Sequence, residues 1–268
     1  MRIGFIGAGS MVAAIARGAV AAGMNASDFL FTDAHGVHAP ALAEEVGGEV
    51  ARSNGSLAHR ADLLVLGVKP HAQRAVIERI AHIVRERPEM CVVSLAAGRT
   101  LDAILADFGA AVPLIRVMPN VNAQIGRSMS GICAANASEE QIQAVERLMN
   151  AVGRSVRIQE KDFPVFSALA GCSPAWVFQI IDALARAGVK HGLPKDTAVA
   201  IAAQALSGSA DLVADAASRG LVPAQLIDQV TSPGGTTIAG LLAAEAHGLS
   251  TSLVAAVDAA VERDAELS

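Results

Sequence analysis

Tyrosine is absent from these 268 residues, tryptophan occurs once, and aromatic residues make up only 3% of the chain. Reductases that set a tyrosine beside a lysine as general acid are thereby excluded. Cysteine is scarce as well. Cys91, Cys133 and Cys172 are odd in number and widely spaced, so they outline neither a disulfide framework nor a Cys-x-x-Cys metal site. A reducing, cytoplasmic setting is the expectation. The histidines are dispersed: only His35 and His38 sit close together, with no third ligand at a useful spacing, and no metal is expected. There is no block of Lys and Arg, and the net charge is −5. That argues against a nucleic-acid or anionic-membrane partner and for a small-molecule ligand. No uninterrupted apolar run reaches the roughly 18 to 20 residues of a spanning helix. The opening "MRIGFIGAGSM" is broken by glycines, so no targeting segment is expected either.

What the chain does have is apolar material, 52% of it. Short apolar runs at 2–6, 29–33, 62–68, 90–97, 113–119 and 130–135 alternate with helical stretches, the signature of a parallel α/β sheet. The alternation stops near residue 158. From Asp162 onward the periodicity is helical throughout, with starts after Asp162, Pro194 and Pro223 and stops at Gly188, Gly192 and Gly220. The expected architecture is a Rossmann-type dinucleotide-binding domain over residues 1–160, followed by an all-α domain over 161–268. The later helices are apolar on more than one face. A lone bundle of that kind leaves apolar surface wet, so a homodimer or higher homo-oligomer is expected.

The glycine pair Gly7-Ala8-Gly9 follows the first apolar run and opens a helix, as a pyrophosphate-binding turn requires. The third fingerprint position is Val12, where a small residue is expected for close helix-to-strand packing. Asp33 ends the second run, where a carboxylate accepts hydrogen bonds from an adenosine ribose and repels a 2′-phosphate. No Arg follows it, so the cofactor expectation is NAD(P)H with a lean toward NADH. The alternative is that Asp33 only caps a loop while a more distant cation holds the phosphate.

Near the other end, "TSPGGTTIAGL" crowds Thr231, Ser232, Thr236 and Thr237 around Gly234 and Gly235. One hydroxyl is enough to cap a helix. Together with "IGFIGAGSM", "LGVKP", "SLAAG", "RVMPN", "LAGCSPAW" and "ALARAGVKHGLP", this segment makes the chain resemble the pyrroline-5-carboxylate reductase family almost from end to end. The family makes proline from its cyclic imine. The resemblance implies that Ile6, Gly7, Ala8, Gly9, Ser10 and Met11 form the phosphate loop and that Asn54 lies near the adenosine ribose. It implies that Val68, Lys69 and Pro70, with Ala96, Ala97 and Gly98, line the cofactor. Met118 and Asn120 are implied near the nicotinamide, Thr237 at the substrate ring nitrogen, and the site between the nucleotide domain and a dimeric helical domain. The chain departs from the family at Val121-Asn122 and at Cys172 and Trp176.

An imine suits these residues better than a ketone. Carbonyl reduction leaves an alkoxide that needs a general acid. The related hydroxyacid dehydrogenases carry a lysine on the long helix after the boundary, and "ALAGCSPAWVFQIIDAL" has none. A protonated cyclic imine needs no strong acid, only a carboxylate anchor and an oriented hydrogen-bond partner. Gly234 and Gly235 leave helix-start N–H groups open for that carboxylate, Ser232 adds a hydroxyl, and Thr236 and Thr237 complete the substrate-binding set, with Thr237 as the catalytic candidate. Cys172 is read as a packing residue, Ala168, Ala170, Gly171 and Ala175 as a small-residue patch, and Pro174 as a bend in the helix. A carbonyl dehydrogenase and a non-catalytic nucleotide sensor are the competing readings.

Overall fold

The computed structural model describes residues 1 to 267. They fall into two compact units, Met1–Gly171 together with residues from Ala260 onward, and Cys172–Ala259.

The first unit is built on one eight-stranded sheet: β1 (Ile3–Ile6), β2 (Phe29–Thr32), β3 (Glu49–Val50), β4 (Leu63–Leu66), β5 (Cys91–Ser94), β6 (Leu114–Met118), β7 (Ser128–Ala135) and β8 (Gly153–Arg157). Their spatial order is β3-β2-β1-β4-β5-β6-β7-β8. Helices α1 (Ser10–Ala21), α2 (His38–Val46), α3 (Asn54–Ala58), α4 (Pro70–Arg85), α5 (Leu101–Phe108), α6 (Glu139–Asn150) and α7 (Phe163–Phe166) accompany it. The residues of β1, β2, β4 and β5 are all buried, because both sheet faces are covered and each strand must be apolar on both sides. Phe5, Phe29 and Phe31 form one cluster on one face, with Phe5 and Phe31 stacked at 5.2 Å.

All the pairings are parallel except β6 with β7, which departs from the wholly parallel sheet expected. The connection is short and holds only a 3₁₀ turn, Val121–Ile125. A parallel return needs a longer crossover, so β7 turns back beside β6. Strands β3 and β8 have no apolar run to announce them. They are the two edges of the sheet, and Glu49, Arg154 and Arg157 place charges along them, with Val50 and Val156 exposed beside those charges.

Strand order changes direction between β1 and β4, where an open α/β sheet leaves its ligand crevice. The two strand ends nearly touch there. Gly7 adopts φ +97°, and a Cβ on it would lie 2.7 Å from the Gly67 carbonyl oxygen. A Cβ on Gly67 would lie 2.3 Å from Val12 Cγ2. Val12 is therefore no loss to the glycine fingerprint: the small residue that lets α1 close on the sheet stands on the end of β4.

A buried cation ends the unit. Arg116 on β6 pairs with Glu160 at 3.1 Å and lies over the Phe163 ring, 4.1 Å from its centroid. Glu160 also accepts the Leu101 N–H at the start of α5, at 2.6 Å. These contacts hold Phe163 in the core of the first unit, so the compact unit runs on past residue 160 to Gly171.

The second unit contains α8 (Ser173–Lys190), α9 (Lys195–Ser218), α10 (Pro223–Val230), α11 (Thr236–Ala246) and the first part of α12 (Leu249–Leu267). Helix α8 runs through Gly188 and stops at Gly192, whose φ is +96°. Helices α8 and α9 pack together, while α10 and α11 bury no residue. Phe178, Ile201, Leu212, Val230, Leu242 and Val254 are exposed. By length and composition, the stretches Glu160–Lys190 and Lys195–Ser218 would suffice to cross a membrane. Their scattered charges hid this from a search for uninterrupted apolar runs.

Gly67→Ala forces a methyl into Val12 and should cost about 1 to 3 kcal/mol of stability in a denaturant titration. Adding Val12→Ala should return most of that loss. Failure of the second change to help would remove the proposed glycine exchange.

Candidate active site

At the carboxyl ends of β1 and β4, a cleft of about 480 Å³ is lined by Ile6, Gly7, Asp33, Ala34, Ser53, Asn54, Gly55, Val68, Val76 and Arg79. Helix α1 begins beside it. The N-cap is Gly9, and no side chain caps the helix, so its first N–H groups and positive dipole end are open to an anion. A Cβ on Gly9 would meet nothing within 4 Å, which leaves the backbone approachable from outside. A larger groove of about 900 Å³ runs from Ala8, Gly9 and Ser10 along α1 to Gln124 and Ile125. The loop Ile6–Met11 thus leaves backbone N–H groups open to an anion.

Asp33 does not do what was expected of it. One carboxylate oxygen accepts the N–H groups of His35 and Gly36, and the other accepts those of His38 and Ala39. The side chain closes its own turn and caps α2 from a distance. Desolvation acts to raise its pKa, but the four backbone hydrogen bonds together hold it below the ordinary carboxylate value. Both oxygens are already occupied, so Asp33 is not a free acceptor for a ribose hydroxyl. The lean toward NADH loses the observation it rested on.

Asn54 lines the cleft wall. Its Oδ1 accepts the Thr32 hydroxyl at 2.8 Å, which leaves its amide NH₂ to donate. Val68 lines the same cleft, followed by exposed Lys69 and by Pro70, the first residue of α4. On the next strand, Ser94 fixes the Ala96-Ala97-Gly98 loop by accepting the Ala96 N–H at 3.3 Å. Buried Gln73 of α4 donates to the same hydroxyl at 2.7 Å. Neither Gln73 nor Arg79 carries a sequence motif.

Met118 and Asn120 end β6, and Asn120 proves to be tied into the backbone. Residues Ser167–Cys172 form a π-helical turn between α7 and α8. Pro174 has no N–H to offer the carbonyl four residues earlier, that of Ala170. Asn120 Nδ2 fills the gap and donates to that oxygen at 2.8 Å. Asn120 Oδ1 accepts the Asn122 N–H at 3.1 Å, and its own N–H donates to Ser128 Oγ. A Cβ on Gly171 would come 3.1 Å from Met118 Cε. Met118, Asn120 and the π turn therefore form one corner, and π turns of this kind concentrate at functional sites. The Cys91 and Cys133 thiols are no nucleophiles here. Burial pushes Cys91 up to about 12. It also pushes Cys133 up to about 11, aided by the Glu160 charge and opposed by Arg116.

The segment from Thr231 to Thr237 lies in the second unit. Thr231 Oγ1 donates to the Ile227 carbonyl at 2.9 Å and closes the end of α10, so one of the four hydroxyls has a structural task. Gly234 has φ +69°. Gly235 is the N-cap of α11, which has no side-chain cap. A Cβ on Gly235 would strike Ser232 Oγ at 2.4 Å. This helix start is therefore the reverse of an overbuilt cap. Its N–H groups are left open, with Ser232 below them and the exposed hydroxyls of Thr236 and Thr237 beside them. A carboxylate meets both hydrogen-bond donors and the favourable end of the dipole. Among the described residues, no group of three His, Cys, Asp or Glu side chains could hold a metal ion.

Comparison with known proteins agrees with this chemistry. The family described as pyrroline-5-carboxylate reductase dimerisation matches residues 160–267, and one described as NADP oxidoreductase, coenzyme F420-dependent, matches residues 2–98. The pyrroline-5-carboxylate reductase of Glycine max is 37% identical, over 99% of this chain and 96% of that protein. The Pseudomonas aeruginosa enzyme of that name is 35% identical, over 100% and 97%. The solved pyrroline-5-carboxylate reductase of Coxiella burnetii superposes with a TM-score of 0.94 at 32% identity, covering 100% and 98%. The Plasmodium falciparum pyrroline carboxylate reductase, solved with NADP bound, gives 0.85 at 26% identity, covering 100% and 98%.

Asn120→Ala orphans the buried Ala170 carbonyl and should cost about 1 to 3 kcal/mol of stability. Pro174→Ala restores a helical N–H for that carbonyl, so in the Asn120→Ala background it should recover part of the loss. A thermal melt of the double variant no higher than that of Asn120→Ala alone would refute the exchange.

Proposed function

We propose, for a chain that belongs to the pyrroline-5-carboxylate reductase family, that it reduces 1-pyrroline-5-carboxylate to L-proline with a nicotinamide cofactor. The observation that carries this reading is the start of α11: a glycine N-cap without a side-chain cap, flanked by two exposed threonine hydroxyls. The family relationship makes the chain an oxidoreductase with a homo-oligomeric helical domain. The reading here concerns which residues do the work.

The open N–H groups of α11 and the Ser232 hydroxyl hold the substrate carboxylate. Gly234 and Gly235 keep Cβ atoms out of its path. The Thr237 hydroxyl accepts a hydrogen bond from the protonated ring nitrogen and so turns the C=N bond to one orientation. The loop Ile6–Met11 and the open start of α1 hold the pyrophosphate, with Asn54, Val68, Lys69, Pro70 and the Ala96-Ala97-Gly98 loop along the rest of the cofactor. Bound there, the reduced nicotinamide supplies a hydride to the imine carbon. Addition to the iminium carbon leaves a neutral secondary amine, so a strong general acid is not needed, in keeping with the absent tyrosine and the lysine-free start of α8. Met118 and Asn120 lie near the nicotinamide. The apolar faces of α8 to α12 meet a second copy of the chain rather than lipid. The free thiols, with Cys91 and Cys133 buried, suit a reducing cytoplasm.

Purified protein should oxidise the reduced cofactor with pyrroline-5-carboxylate and not with keto acids. Keto-acid-dependent oxidation alone would favour the dehydrogenase reading, and binding without turnover the sensor. Thr237→Ala should fold normally and lose about 1 to 3 kcal/mol of transition-state stabilisation in kcat/KM. An unchanged kcat/KM would take Thr237 out of the mechanism.

A further inference from the structure

We propose that Arg79 is the residue that selects a 2′-phosphorylated nicotinamide cofactor, so that this chain takes NADPH in preference to NADH. The inference rests on the cofactor cleft assigned above and concerns the choice between two forms of the same ligand.

The cleft beside the adenosine position presents side-chain hydrogen-bond donors and no open carboxylate. Asp33 is the one carboxylate in its lining, and four backbone N–H groups already occupy both of its oxygens. A 2′-hydroxyl finds no open carboxylate there to receive its proton. Asn54 has spent its carbonyl oxygen on Thr32 and presents its NH₂. The Ser53 hydroxyl accepts from the Ser56 N–H and retains its own proton to give. A group made of acceptor oxygens, which is what a phosphate is, matches that set.

Arg79 supplies the charge. It lies on α4 one turn beyond Val76, on the same helix face, and both side chains line the cleft. The adjacent carboxylate on the helix, Glu78, is taken by Arg74 at 3.1 Å. Among the described residues, no carboxylate lies within 4.0 Å of the Arg79 guanidinium. An unpaired guanidinium beside two neutral donors is suited to clamp a phosphate dianion with parallel N–H bonds. The Asp33 charge also faces the cleft, but the amide dipoles around it blunt its repulsion. Arg79 is exposed, so its contribution should weaken as salt rises.

The test is calorimetric titration with two fragments that differ only in the 2′-phosphate, 2′,5′-ADP and 5′-AMP. The wild-type chain should bind 2′,5′-ADP about tenfold or more tightly than 5′-AMP at low salt, in keeping with a charge-assisted contact. Arg79→Gln should bring the two affinities to within about threefold, and Arg79→Glu should reverse their order. Arg79 makes no ion pair in the fold, so melting temperatures of the variants should match wild type, which separates lost binding from lost structure. A wild-type ratio near one, or a ratio that Arg79→Gln leaves unchanged, overturns the inference. Binding of neither fragment overturns it together with the cleft assignment. If the ratio shifts as described while pyrroline-5-carboxylate is not reduced, the inference stands and the substrate reading falls.

Discussion

The hydrogen bond from Asn120 to the Ala170 carbonyl spans 50 residues of sequence and ties the end of β6 to the π turn. Its need arises from Pro174, which removes the N–H that would otherwise satisfy that carbonyl in a continuous helix. The helix answers with a π turn over Ser167–Cys172, and the end of β6 supplies the missing donor. Because Asn120 also accepts from Asn122 and donates its own N–H to Ser128, one side chain sets the direction in which the chain leaves the sheet. The packing of Met118 against Gly171 follows from the same geometry. A buried carbonyl without a partner costs more than an ordinary hydrogen bond yields, which makes the arrangement self-consistent rather than interchangeable.

The same local chemistry appears at two helix starts. Helices α1 and α11 begin at Gly9 and Gly235 with no side-chain cap, whereas α5 and α6 begin at Thr100 and Ser138, whose hydroxyls accept N–H bonds. Helices α2, α4, α8 and α9 also start without a side-chain cap, so what sets α1 and α11 apart is the glycine at the N-cap, which leaves the backbone approachable there.

Much of this was legible in the residues. The central strands were, since burial on both faces demands continuous apolar runs, and so was the change to helix near residue 160. The edge strands β3 and β8 were not, because an edge carries polar residues that read as loop. Val12 looked like a defect while the glycine that accommodates it, Gly67, lay outside the motif. Asp33 was misread because its position along the chain is that of a ribose ligand, and only the closure of the 33–39 turn shows its oxygens to be taken. Arg79 and Gln73 have no motif, since each matters through what stands opposite it on another element. Asn120 was noticed, but its tie to Ala170 depends on a helix distortion that periodicity cannot register.

The account depends most on the claim that the open start of α11 holds the substrate carboxylate. The direct measurement is inhibition of imine reduction by proline compared with prolinamide, which keeps the ring and nitrogen but replaces the carboxylate with a neutral amide. Proline should compete with the imine and prolinamide should be far weaker. Equal inhibition by the two would contradict the carboxylate cradle.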